Sequence, residues 1–133
     1  MALKDKPQIQ KNKTFGQAVG HAVDGIVRLF REERNFRFDL FIAVIVVCIG
    51  FFLEIEINDW LWLFSAFAVV IGAEVMNSII ENVVDLIVGP HYNSLAKRAK
   101  DIAAGGVLLS AGFAIVVGAL IFVPRVIEIL SNK

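Results

Sequence analysis

From Ile102 to Val123 the chain carries no charged side chain. As a helix rising about 1.5 Å per residue, this run would reach roughly 33 Å, enough to cross the ~30 Å hydrocarbon layer of a bilayer. In water the same run would have to be wrapped on every side by other protein. A chain of 133 residues, 57% hydrophobic and 20% charged, cannot supply such a wrapping from one soluble core. An all-α membrane protein is therefore expected, built as a single domain over residues 1–133. Cys48 is the one cysteine, which excludes an internal disulfide. Its place inside an apolar run reads as packing rather than as a reactive thiol. Met1 to Lys13 is polar and basic without an apolar stretch, so no secretory signal pattern is expected there.

Residues 1–13 read as a flexible basic tail. Beyond it, Ala18, Val19, Ala22, Val23, Ile26, Val27 and Phe30 recur at i, i+3, i+4, i+7, while Gln17, His21, Asp24, Arg28, Arg31 and Glu32 take the opposite face. This pattern predicts an amphipathic surface helix over 15–34, capped by Thr14, with its arginines toward anionic headgroups. Two further apolar runs predict spans over 36–57 and 60–87, separated by a turn at Glu54, Glu56, Asn58 and Asp59. Trp60 and Trp62 suit an interfacial aromatic belt, and Gly89-Pro90 ends the second span. The third span is placed over 102–123. Lysines and arginines crowd the tail, the first helix and the Lys97-Arg98-Ala-Lys100 segment, whereas the first turn is acidic. The positive-inside rule then puts the N-terminus and the second loop in the cytoplasm.

The second span is interrupted in one direction only. Glu74, Asn77, Ser78, Glu81 and Asp85 fall on one narrow face at 100° per residue, with Val75, Ile79, Ile80, Val83, Val84 and Leu86 opposite. A single acid at the centre of a span costs about 2.5–3.5 kcal/mol on insertion scales, so these acids face protein, water, metal or substrate rather than lipid tails. Polar glue between helices is the plainer reading, but that role usually falls to Ser, Thr, Asn or Gln. Gathered carboxylates instead suit a hard divalent cation, with Mg²⁺ carried by a nucleotide the obvious one.

The complement lies just beyond Pro90. Lys97 and Lys100, with Asp101 adjacent, open the third membrane helix, for which Ser94 is the expected N-cap. A helix start with lysines around it favours anions. Such lysines also commonly meet lipid headgroups. Acids for a metal beside lysines for phosphate fit phosphoryl transfer better than either element does alone. Glu33, where the chain enters the first span, would join Glu81 around a metal if the amphipathic helix folds back. No G-x-x-x-x-G-K-[ST] loop is present, and no nucleophile–His–Asp set. Gly105 and Gly106, with Ala99, Ala103 and Ala104, read as close helix packing. A proton-coupled transporter would place a lone acid near the midplane, which fits this spread of acids poorly. A purely structural membrane subunit would not need the clustered stripe.

The run Glu74-Val-Met-Asn-Ser-Ile-Ile-Glu-Asn-Val-Val-Asp85, followed by Leu95-Ala-Lys-Arg-Ala-Lys-Asp101 and joined by Glu33-Arg-Asn-Phe36, resembles the signature of the prokaryotic diacylglycerol kinase family. The resemblance covers roughly Phe15 to Ile121 and leans toward the Gram-positive branch, whose members act chiefly as undecaprenol kinases. It implies an amphipathic surface helix followed by three transmembrane helices, in a homotrimer with active sites shared between subunits. It also implies a bacterial plasma-membrane enzyme that moves the ATP γ-phosphoryl group, with Mg²⁺, to a lipid hydroxyl of undecaprenol or diacylglycerol, with no nucleic-acid partner. By the same resemblance Glu74 would be the general base, and Glu74 with Asn77 would meet the lipid. Glu33 and Glu81 would bind the nucleotide's metal, and Asp85, Lys100 and Asp101 would lie about the ATP. His91, Tyr92 and Asn93 would form a nucleotide-facing loop. In that loop the family pattern has Tyr-His where this chain has Tyr92-Asn93, and it has Tyr where His21 stands.

Overall fold

A computed structural model of the chain describes residues 14–131. Four helices follow one another, α1 (Phe15–Glu32), α2 (Arg34–Phe52), α3 (Ile57–Val88) and α4 (Ser94–Ser131), with no strand among the described residues. α2, α3 and α4 are each long and apolar enough to cross a membrane. α1 is amphipathic and buries no residue. This is the all-helical membrane architecture that the apolar runs predict. The tail expected over 1–13 lies outside the described residues.

Helix ends explain the boundaries. Thr14 caps α1, its hydroxyl accepting the Gln17 N–H at 3.3 Å. Glu33 alone separates α1 from α2, in an extended conformation with φ −92° and ψ 112°. The helix of the first span stops at Phe52 rather than 57. Glu54 then turns the chain with φ 50°, a region that costs a side chain other than glycine or asparagine some strain. Asp59, expected in this turn, instead stands in the first turn of α3, where the free N–H groups favour its charge. At the other end of α3, Gly89 takes φ 58°. The expected cap of the last helix is corrected by one residue. Asn93 Oδ1, not Ser94, accepts the Leu95 N–H at 2.9 Å and the Ala96 N–H at 3.2 Å. α4 also runs through Pro124 to Ser131. At about 1.5 Å per residue it is roughly 57 Å long and overreaches the hydrocarbon layer.

The packed core is small and sits at the end where α2 turns into α3. Ile55, Leu63, Ala66, Val117 and Ile121 form it, with Val46, Leu53, Trp60, Phe67 and Phe122 against its edge. α3 and α4 make the most extensive helix pair, and α2 packs on α3 more lightly. Gly50 is where backbones need room, since a Cβ there would stand 2.9 Å from the Trp60 ring. Gly105 and Gly106 have open space where a Cβ would go, so the close packing expected of them does not occur within one chain. Cys48 is likewise exposed rather than packed, because so little of α2 is covered. Arg125, one residue past Pro124, reaches back from α4 to the turn. Its Nε donates to the Leu53 carbonyl at 2.8 Å and its Nη2 to that of Glu54 at 3.5 Å.

Candidate active site

α3 carries the deeper part of its polar stripe inward, while Glu81 is half-buried and Asp85 exposed. Glu74 is 1% exposed, Ser78 2% and Asn77 7%, the most polar burial among the described residues. Three of their atoms, Glu74 Oε2, Asn77 Oδ1 and Ser78 Oγ, have no hydrogen-bond partner. Leaving one buried polar atom unanswered costs about 1–3 kcal/mol, so three on two turns of one helix mark a place that something else completes. Asn77 is partly engaged, its Nδ2 donating to Glu81 Oε1 at 3.1 Å. That bond orients a half-buried carboxylate two turns from Glu74.

The surroundings of Glu74 come from α2 and the α1–α2 joint. Asn35 lies in polar reach of its carboxylate, and Asp39, Glu33 and Glu81 each add negative charge to its field. No three of the acids or histidines among the described residues converge closely enough to cage a metal. They are near enough to repel one another, and among the described residues none of Glu33, Asp39, Glu74 and Glu81 forms an ion pair with a lysine or arginine. The sequence pattern does not mark Asp39, and it marks Asn35 only as a member of the Glu33-Arg-Asn-Phe36 match. α2 shows almost no sidedness, and the approach of both residues to Glu74 depends on how α2 packs against α3.

Two openings flank this centre. A cleft of about 450 Å³ lies between α1 and α3, with Arg28, Glu32, Glu33, Ser78 and Asn82 as its polar lining. The surface helix thus does fold back toward the second span, and Glu33 faces that cleft, although Glu81 does not line it. A second groove of about 410 Å³ runs between α2, α3 and α4 and is apolar except for Asp39.

The basic end is ion-paired in the structure. Lys100 Nζ meets Asp85 Oδ1 at 2.6 Å, tying the last turns of α3 to the first turns of α4. Lys97 pairs with Asp101 one helical turn on, both largely exposed. Of the connecting loop, His91 and Tyr92 point to solvent, while the Asn93 side chain is spent on the cap of α4.

Residues 20–122 match the family described as prokaryotic diacylglycerol kinase. The chain belongs to that family. It is therefore a membrane lipid kinase, and the prokaryotic diacylglycerol kinase family gives its relatives. An undecaprenol kinase of Bacillus subtilis (strain 168) is 40% identical, over 84% of this chain and 89% of that protein. A diacylglycerol kinase of Synechocystis sp. is 37% identical over 83% of this chain and 63% of that protein. The diacylglycerol kinase of Escherichia coli (strain K12) is 31% identical over 75% and 81%.

Proposed function

We propose that this kinase transfers the γ-phosphoryl group of ATP to a membrane lipid alcohol, and that the alcohol is undecaprenol. The observation that carries this reading is the buried trio of Glu74, Asn77 and Ser78 with its three unanswered atoms. The trio sits deeper along α3 than the basic start of α4. Glu74 lies roughly 10 Å further along the helix than Glu81, a depth suited to a headgroup hydroxyl rather than a soluble acceptor. Glu74 takes the hydroxyl proton as the lipid oxygen bonds to phosphorus, and the bond to ADP breaks with its electron pair leaving on ADP. Asn77 orients the Glu81 carboxylate and offers its own free oxygen toward the lipid.

The donors available suit Mg²⁺ delivered with a nucleotide. They are carboxylate and amide oxygens, too dispersed for an all-protein cage, and Mg²⁺ typically takes one or two carboxylates plus phosphate oxygens and water. Glu33 and Glu81 would hold it, and it would neutralise charge on the phosphates. Lys100 and Asp101, with Asp85, His91, Tyr92 and Asn93 around them, form the ATP side. For the phosphates to reach Lys100, the Lys100–Asp85 pair must open or turn outward.

Undecaprenol is preferred because the Bacillus subtilis relative is 40% identical over most of both chains. Diacylglycerol is the second reading, supported by the relatives named for it. The asymmetry of lysine and arginine supports a bacterial plasma-membrane protein with its N-terminus and active site at the cytoplasmic face. A homotrimer would close the groove between α2, α3 and α4, and with it the approach to Asp39. The test is phosphorylation by purified protein in detergent micelles, undecaprenol and diacylglycerol in parallel with Mg-ATP. Faster turnover of undecaprenol supports the assignment, faster diacylglycerol turnover replaces it with the second reading, and phosphorylation of neither by folded protein ends both.

A further inference from the structure

The joint between α1 and α2 consists of a single residue, and that residue is Glu33. Two backbone torsions therefore set both the angle at which α1 lies over the bundle and the direction in which the Glu33 carboxylate leaves the chain. Such a joint needs an outside restraint, since the last four carbonyls of any helix lack partners and fray readily. The Glu33 N–H answers the Leu29 carbonyl at 3.0 Å. The next two are answered from the other helix. Arg37, in the first turns of α2, turns its guanidinium back, and Nη1 donates to the Phe30 carbonyl at 3.0 Å and to the Arg31 carbonyl at 2.9 Å. Nothing about α2 alone favours this. A cation near a helix N-terminus opposes the helix dipole, whereas the C-terminus of α1 attracts it.

We propose that Arg37 is a positioning residue, a staple across the α1–α2 joint that holds the Glu33 carboxylate toward α3, where a cation on a nucleotide polyphosphate would meet it. The inference rests on the metal role given to Glu33 above. A planar guanidinium suits the task because one nitrogen reaches two successive carbonyls while the charge faces the helix end. An ammonium on a floppier stem would satisfy these less well.

The experiment uses full-length protein in micelles and compares wild type, Arg37→Gln, Arg37→Lys and Glu33→Gln. Amide hydrogen exchange over residues 26–36 reads the joint, and exchange over 105–121 reads whether the bundle is folded. Mn²⁺ bound with a non-hydrolysable ATP analogue, followed by electron paramagnetic resonance, reads the cation site without turnover. Arg37→Gln is expected to speed exchange at the joint and weaken Mn²⁺ binding, each by roughly fivefold or more, with the bundle peptides unchanged and Arg37→Lys intermediate. In kinetics the KM for Mg-ATP should rise more than kcat falls. Unchanged exchange at the joint overturns the staple. Faster exchange with unchanged Mn²⁺ binding, while Glu33→Gln impairs it, makes Arg37 merely structural and overturns the inference with the functional reading intact. Unchanged Mn²⁺ binding in Glu33→Gln removes the metal role of Glu33 and the inference with it.

Discussion

The two ends of the bundle are built to opposite specifications. Where α2 turns into α3, the apolar core closes, Gly50 lets the Trp60 ring lie against backbone, and Arg125 answers the carbonyls of Leu53 and Glu54. At the basic end the core is replaced by buried polar side chains, three of whose atoms have no partner. α1 there touches the bundle over a cleft rather than a packed interface. One end closes its apolar side chains against each other and answers its backbone carbonyls, while the other leaves buried polar atoms without a partner. A function that costs stability is tolerable in so small a chain only because the remote end supplies it.

That division can be broken by mutation. The largest effect is expected from Glu74→Gln, which keeps shape and removes the base. Turnover should fall by roughly 10²–10⁴-fold while equilibrium ATP binding and thermal stability hold, and lipid phosphorylation at near wild-type rate would remove Glu74 from its role. Next comes Glu81→Gln. The Mg²⁺ concentration for half-maximal rate should rise by about tenfold, equivalent to about 1.4 kcal/mol, and an unmoved Mg²⁺ titration would refute the metal assignment. At the far end the sign of the split reverses. Gly50→Ala forces a methyl against Trp60, and Arg125→Ala strips two carbonyls of their donor, so each should destabilise the fold by about 1–3 kcal/mol. Thermal unfolding in detergent should register that loss, and turnover at low temperature should not. A loss of kcat without a loss of stability would mean that the ends are not separate. The smallest effect belongs to Lys97→Ala at the exposed pair with Asp101. It should alter stability by no more than about 0.5 kcal/mol, and a larger drop in unfolding temperature would show that the pair is more than solvated.

The stripe on α3 could be read from sequence because a bilayer makes polar residues expensive, so five on one face need a reason. α1 was legible for the related reason that its recurrence survives without any tertiary partner. The rest depended on contacts that periodicity does not encode. α2 is apolar on nearly all sides, so nothing distinguished Arg37 or Asp39 from other charges near a membrane boundary. Gly50 looks no different from Gly105 in the sequence, yet the Trp60 ring stands against Gly50 and open space against Gly105. The span expected over 102–123 stops short of Pro124, but membrane helices tolerate proline where neighbours satisfy the backbone, and α4 continues past it with Arg125 bound to the opposite turn. Asn93 and Ser94 are both good caps, and only the hydrogen bonds distinguish them.

α1 buries none of its residues, and Phe15, Val23, Ile26 and Phe30 each leave half or more of their surface uncovered. With α1 seated in the headgroup layer, as its amphipathic pattern favours, the leaflet over these side chains would form one wall of the cleft between α1 and α3, and its lateral pressure would bear on the Glu33 joint. On the proposed reading, the lipid that supplies the acceptor would also set the posture of the enzyme that consumes it. Shortening the acyl chains of the host bilayer should consequently shift the Mg²⁺ response well before it shifts the melting temperature.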